Sequence, residues 1–421
     1  MRTRERRGTS SGAQEGETTS LDDTFASGTP SLLRAINERS VLEFVRRMGP
    51  VSRAQIARDS DLSKPTVSQA LASLLEAGLV REAGRASGKR GPAAILYELN
   101  PRAGWVVGID IGRAWVRGAI ANLSGDIVAR RDERTMVRSQ RALISQIGQI
   151  AHGLAAEAHI RWRQVTFATV GSPGVFHPAK GTVELAYALP GWGRSGLVES
   201  VQEELGTKIA FENDVNLAAL GEQWRGLGKN VANFAYLHVG TGVGAGLVLN
   251  GELFRGYAGA AGEVGYLPLA TDDPRNAVSR RLGALDAAAG ARGVVAAARE
   301  LGMSGPLSAK RVFASARRGD PVARQVVELE AGRIALAIAA IVPVIDPELV
   351  VLGGGIGSNG DLLLDRVESE LAAISPFRPR IEVSVLGDEA GLHGAVATAL
   401  QSAQTLLFAR GAGSGGHARR G

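Results

Sequence analysis

The chain has 421 residues, 45% of them hydrophobic and 21% charged, with a formal net charge of +6. That length can bury two or three domain-sized cores, and the composition is that of an ordinary water-soluble protein. Cysteine is absent, which excludes disulfides, thiolate metal sites and cysteine nucleophiles. The opening MRTRERRGTSSGAQEGETTS has no apolar core and does not read as a signal peptide. The longest apolar run, IALAIAAIVPVI over 334–345, holds Pro343. It is too short to span a bilayer and predicts a buried helix end. A cytoplasmic protein without a membrane partner is expected.

Residues 1–28 are polar and rich in Gly, Ser and Thr, and the tail 409–421 is similar; both are expected to be disordered. Residues 29–100 predict a compact unit of three short helices and a hairpin. Ser52 with Gln55 three places later is a capping-box signature. SDLS over 60–63 is a turn, Ser63 caps the next helix, and Pro65 falls in its first turn, where a missing N–H is tolerated. Val67, Leu71 and Leu74 recur at helical spacing and face a core. The expected opposite face carries Pro65, Thr66, Gln69 and Ser73, entered through Ser63 and Lys64. Small polar groups suit a major groove, and Gln can bond adenine at two points. Next, LVREAG and AAILYEL read as strands joined by a loop. Over 81–92 this hairpin carries Arg81, Arg85, Lys89 and Arg90 against Glu82 alone. Helix, turn, helix and basic hairpin make a winged helix-turn-helix, with Lys89 and Arg90 set toward phosphates. The competing readings are a protein-contact module and an ordinary solvated loop.

Asn100-Pro101 is a plausible joint. From Trp105 onward strands alternate with helices, as in WVVGIDI, VTFATVGSPG and ELVVLGGG, which predicts an α/β domain. Four Gly-rich elements stand at strand ends: GIDIG, GTGVGAG, GYAGAAGEVG and VVLGGGIG. Together they point to a cleft for a polar ligand. In FENDVNLAALGE, Asp214 stands where an apolar run gives way to a helical pattern. It reads as a proton acceptor, as a binding group without catalysis, or as a helix N-cap.

The segment GPVSRAQIARDSDLSKPTVSQALASLLEAGLVREAGRASGKRGPAA resembles the DNA-binding domains of the ROK family, named for repressors, open reading frames and kinases. The chain from about Trp105 to about residue 408 resembles the ROK kinase body. The matching stretches are VGIDIG, GSPGV, LPGW, FENDVNLAALGE, HVGTGVGAGLVLNGELFRGYAGAAGEVG and DPELVVLGGG. The resemblance implies an actin-like, ribonuclease H-like α/β fold of two lobes with a sugar cleft between them. In the kinases the aspartate matched by Asp214 is the base that deprotonates the sugar. Here the resemblance implies sugar contacts at Gly174, Asn213, Asp214, Glu263, Tyr266 and Asp286. It implies phosphate-loop remnants at Gly112, Gly240, Thr241, Gly242 and Gly354.

Departures from the family are informative. The family's DIGGTK loop reads Asp110-Ile111-Gly112-Arg113-Ala114-Trp115 here, which argues against ATP and against catalysis. The family's zinc ligands, one His and three Cys, correspond to Tyr266, Ala277, Ser279 and Ala284. No zinc is expected without them. His152, His159 and His177 have no ligand spacing, and His238 and His393 read as core or cap residues. The expectation is a sugar-responsive regulator, a repressor, that binds a pseudo-palindromic operator as a dimer or dimer of dimers. The alternatives are an active ATP-dependent sugar kinase with an appended DNA-binding domain, in which Asp214 is catalytic, and a protein-interaction hub.

Overall fold

The computed structural model describes residues 30–86, 93–136, 139–177, 180–187, 189, 191–270 and 273–414. The expected disordered segment 1–28, residues 415–421 and the wing-tip pair Lys89 and Arg90 lie outside the described residues.

The head comprises α1 (Pro30–Met48), β1 (Val51–Ser52), α2 (Arg53–Asp59), α3 (Lys64–Glu76), β2 (Val80–Ala86) and β3 (Ala94–Leu99). Its sheet runs β1-β3-β2. Ser52 and Ser63 accept the N–H groups of Gln55 and Thr66, each at 3.3 Å, and so cap α2 and α3 as their spacing predicted. Helix α1 is 19 residues long rather than short, because nothing breaks it before the Gly49-Pro50 pair. Its Val41 and Val45 close a core with Ile56, Val67, Leu71, Leu74 and Tyr97.

The joint is bonded on both sides. Asn100 donates its N–H to the Leu79 carbonyl at 2.9 Å and its amide to Gly78 at 2.7 Å. Its neighbour Pro101 accepts the Leu123 N–H at 3.2 Å.

The first lobe contains β4 (Trp105–Ile111), β5 (Trp115–Asn122), β6 (Ile127–Arg134), α4 (Gln140–Glu157), β7 (Val165–Ser172), β8 (Val175–His177), β9 (Thr182–Glu184), α5 (Leu197–Leu205), β10 (Ile209–Asn213) and α6 (Asp214–Arg225). Its sheet has the order β10-β7-β4-β5-β6. Strands β10, β7 and β4 are parallel, while β5 and β6 turn back antiparallel.

The second lobe begins with β11 (Phe234–Val239), β12 (Val243–Leu249) and β13 (Glu252–Leu253). Helices α7 (Ala277–Leu282), α8 (Ala284–Ala289), α9 (Ala291–Glu300), α10 (Ala309–Arg317) and α11 (Pro321–Ile345) follow. The chain finishes with β14 (Leu349–Gly353), α12 (Gly354–Gly357), α13 (Gly360–Ile374), β15 (Arg380–Val383) and α14 (Ala390–Ser414). This sheet runs β13-β12-β11-β14-β15. The apolar run at 334–345 ends α11, with Ile334, Ile338 and Ile341 in the core. Among the described residues no helix is long and apolar enough to cross a membrane.

Helices α6 and α14 lie between the two sheets. Ala218 and Ala219 of α6 pack on Phe234, Tyr236 and Val248 of the second lobe. Leu392, Val396 and Ala399 of α14 pack on Val106, Ala119 and Phe167 of the first. Where the helices meet, a Cβ on Gly394 would overlap the Leu217 carbonyl, and one on Gly221 the Ala390 carbonyl. The backbones therefore touch directly. Helix α14 runs on through 409–414, a stretch the sequence assigned to a disordered tail. Leu406 and Leu407 anchor it just before, and Leu407 packs against both the head core and the body core. Beside this contact a cleft of about 1030 Å³ separates head from body.

Gly394→Ala should destabilise the body by about 1–3 kcal/mol, as forced overpacking does. Urea unfolding followed by tryptophan fluorescence measures this; an unchanged midpoint would mean that the helices do not pack backbone to backbone.

Candidate functional site

Two surfaces carry the predicted site residues. On the head, α3 turns Lys64, Pro65, Gln69 and Ala72 to solvent, with Ser68 beside them. Two further residues expected on this face, partly accessible, are bonded to neighbours. Thr66 bonds the capping Ser63 hydroxyl at 2.8 Å. Ser73 accepts Arg34 of α1 at 2.6 Å. Ser73 is thereby tied to α1, whereas Thr66 stays at the N-terminal cap of α3. In the wing, Arg85 is exposed, but Arg81 pairs across the hairpin with Glu98 at 2.6 Å, so its charge is already balanced.

The second surface is a cleft of about 330 Å³ between the lobes. It is lined by Gly174, Asn213, Asp214, Glu263, Tyr266 and Asp286, the six residues assigned to sugar. The chain reaches this arrangement at the β10–α6 turn. Asn213 is the N-cap of α6: its Oδ1 accepts the N–H groups of Val215 at 2.8 Å and Asn216 at 3.0 Å. Its Nδ2 donates to the Gly174 carbonyl at 3.0 Å. The amide oxygen and one N–H brace the turn, which leaves Asn213 one Nδ2 hydrogen at the cleft. Asp214 is consequently the first helical residue rather than the cap. One carboxylate oxygen accepts the Val215 N–H at 3.0 Å, and the group stands on the cleft floor. Gly174, with φ at +98°, sits where a Cβ would overlap the Glu184 carbonyl, so only glycine fits there.

Glu212 is a second brace that sequence reasoning left without a role. Buried, it accepts Asn216 Nδ2 at 2.9 Å and the Asn213 N–H at 3.0 Å, and pairs with Arg255 at 2.6 Å. That pair joins the turn of the first lobe to the loop leading to Glu263 in the second. Its adjacency to Asn213 was the available signal.

The phosphate loops are altered in space as well as in sequence. Asp286 Oδ2 accepts the Val243 N–H at 2.8 Å and presses on Gly242. A residue expected to touch sugar thus also lies against the Gly240-Thr241-Gly242 turn. Of the loop remnants, Thr241 and Gly242 line the cleft, whereas Gly240 and Gly354 back onto His238 and Gly112 belongs to the β4–β5 hairpin. His238 itself reaches the cleft, and burial lowers its pKa. Arg113 lines the cleft too, while Trp115 is covered by the Arg134 guanidinium at 4.2 Å. At the zinc positions stand a phenol, two methyl groups and the Ser279 hydroxyl, which accepts Asn276 Nδ2 at 2.9 Å. These residues do not fit a zinc ion, which needs thiolate, imidazole or carboxylate donors.

Comparison with known proteins agrees with this architecture. The ROK family model matches residues 106–402, and a MarR family model matches residues 34–91. A putative xylose repressor of Caldicellulosiruptor sp. (strain Rt8B.4) is 30% identical over 387 residues, 88% of this chain and 96% of that protein. A glucokinase of Halalkalibacterium halodurans is 30% identical over 310 residues, 69% of this chain and 93% of that protein. Among solved structures, a ROK family transcriptional regulator, homologue of the E. coli MLC protein, superposes with a TM-score of 0.76. That match covers 90% of this chain and 99% of the other at 20% identity, and it shows that head and body share the other protein's fold.

Beneath the cleft lies Asp110, at the end of β4 and buried. Burial, then the nearby Asp214, push its pKa up to about 7, although Arg117 Nη1 stands 3.9 Å away. Asp214 is raised to about 6, chiefly by burial. Each pKa exceeds its unfolded value of about 4. For such acids the folded state holds the proton more tightly, so stability is greatest below pH 4 on this account and falls as pH rises toward 7. Asp110→Asn should remove one proton's share of that fall, about 1.4 kcal/mol per pH unit at most. Denaturant midpoints for parent and variant at pH 4.5, 6 and 7.5 measure it; parallel pH profiles would contradict the assignment.

Proposed function

The chain belongs to the ROK family, and we propose that it is a sugar-responsive transcriptional repressor acting in the cytoplasm. One observation carries this reading: Asp214 in the cleft and Leu407 at the head lie on α6 and α14, which touch through their backbones. A ligand that changes the lobe angle therefore moves the element on which the head rests. The repressor named among the relatives supports the same reading. In the cleft, the Asp214 and Glu263 carboxylates accept sugar hydroxyls with charge-assisted strength. Glu212 and Asn213 hold the turn, Gly174 admits the ligand, and Tyr266 covers the mouth. On the head, Gln69 reads a base edge, Ser63, Lys64 and Pro65 meet the backbone, and Lys89 and Arg90 supply wing charge. A dimer would set two heads at fixed spacing against a pseudo-palindromic operator.

The glucokinase among the relatives, together with an intact Asp214, supports a second reading as a sugar kinase. Against it stand Asp286 in the second phosphate loop and Arg113 in the first. Phosphoryl transfer depends on positioning and charge stabilisation of the phosphates. A carboxylate bonded to the loop N–H repels the group that the loop would cradle. The protein is proposed to hold neither ATP nor zinc.

Asp214→Ala and Glu263→Ala should each weaken sugar binding about ten- to a hundredfold and leave operator affinity intact. The sugar affinity of the parent should rise between pH 5 and 7 as Asp214 ionises near 6. Calorimetry, operator gel shifts and ATP turnover on the same preparations test this. Turnover by the parent that is lost in Asp214→Asn would establish the kinase reading instead. For the head, Gln69→Ala should cost about 1–3 kcal/mol of specific binding; unchanged operator affinity at fixed salt would move the reading face elsewhere on α3.

A further inference from the structure

The chain crosses between the lobes at 226–233, from α6 to β11, and again at 384–389, from β15 to α14. Both crossings adjoin the place where α6 meets α14 and Gly221 lies against Ala390. Contacts gathered about one axis fix where two bodies meet and leave open the angle between them. The loop 254–262 of the second lobe reaches the first lobe away from that axis. Its Arg255 Nε donates to Glu212 Oε2 at 2.6 Å, at the end of β10. A Cβ on its Gly259 would overlap the Phe176 carbonyl of β8. Along α6 from Asp214 to Gly221, a rise of about 1.5 Å per residue sets the ion pair roughly 10 Å from the glycine contact.

Glu212 is prepared to hold that cation. It is buried, and its Oε1 accepts Asn216 Nδ2 and the Asn213 N–H, which leaves Oε2 to Arg255. A buried carboxylate oxygen without its partner keeps the cost of desolvation. Arg255 itself is half-exposed, so the pair can part and re-form without unfolding its surroundings. Neither residue is among those that line the cleft, yet each leads directly to one that does. Glu212 is followed by Asn213 and Asp214, and the loop of Arg255 ends at Glu263. Asp214 and Glu263 come from opposite lobes and repel one another, the charge on Glu263 helping to raise the pKa of Asp214. The attraction of Arg255 for Glu212 acts against that repulsion.

Resting on the reading of the cleft as the effector site, we propose that Arg255 is a positioning residue, whose pair with Glu212 sets the angle between the lobes and with it the spacing of Asp214 from Glu263. With the pair made, the two carboxylates stand ready for one ligand. With it broken, the lobes turn about the glycine contact and the carboxylates part. A site already held in its binding geometry spends none of the ligand's affinity on closing. Arg255 therefore strengthens binding without touching what is bound.

The chain has no cysteine, so spin labels can be placed without removing a native thiol. Glu203→Cys on α5 and Glu300→Cys on α9 put one exposed label on each lobe, and electron double resonance on the full chain reads the distance between them. Arg255→Gln should shift and broaden the distance distribution. Arg255→Lys, which keeps the charge and loses the planar fork, should restore part of it. Raised salt should move the labelled parent toward the Arg255→Gln distribution and leave that variant where it is, because a half-exposed pair is screened. Coincident distributions for parent and Arg255→Gln would overturn the proposal, and a lowered melting temperature with unchanged distances would reduce the pair to a structural contact. Calorimetry with xylose, glucose and N-acetylglucosamine on the same proteins separates the proposal from the reading beneath it. A sugar that binds the parent should bind Arg255→Gln severalfold more weakly; equal affinity despite a shifted distribution would overturn the step from angle to affinity. A shifted distribution in a protein that binds none of the three would uphold the control of lobe angle and count against the sugar reading instead.

Discussion

The contact on which the molecule depends is the backbone meeting of α6 and α14. Gly221 and Gly394 leave no side chain between the helices, so each carbonyl lies against the neighbouring helix. Side-chain packing tolerates small slips by changing rotamers, but a backbone contact does not. The two sheets are attached to opposite sides of this pair. Any change of angle between the lobes must therefore be taken up by movement of these helices as bodies. The functional surfaces sit at the extremities of the same pair: the Asp214 carboxylate at the start of α6, and Leu407 near the end of α14.

The cleft combines groups whose needs conflict. Carboxylates gathered in a partly desolvated space resist ionisation, and Asp110 and Asp214 both show it. Asp214 avoids the full penalty through the Val215 N–H at the helix start, where the backbone favours negative charge. Asp286 is met in the same way by the Val243 N–H. There the backbone N–H meets a resident carboxylate at the strand that follows Gly240-Thr241-Gly242.

Much of this was legible in the sequence. Ser52 and Ser63 cap their helices, Val67, Leu71 and Leu74 are buried, and the six assigned residues line one cleft. These features follow from local chemistry or from motifs whose order was informative. What was not legible shares one cause. Ser73 meets Arg34 of α1, which is distant in sequence. Asn213 and Asp286 line the cleft as expected and also accept backbone N–H groups that the fold brings to them. Arg281 and Arg292 belong to no motif at all, and only the packing of α7 and α9 brings them to the cleft. Local capping is written in neighbouring residues, whereas competition for a polar group depends on who arrives from elsewhere.

The joint between head and body has a mechanical meaning. Asn100 is bonded into the head through Leu79 and Gly78, and Pro101 is bonded to the body through Leu123. A freely jointed tether would let the head wander, and the angle of the body would be averaged away before it reached DNA. Here one side is stitched and the other opens on the large head–body gap. The seam is bonded to the head at Asn100 and to the body at Pro101, so it is shorter and better held than a flexible linker. Lengthening the seam by a few glycines would leave both halves folded and sever the conversation between them.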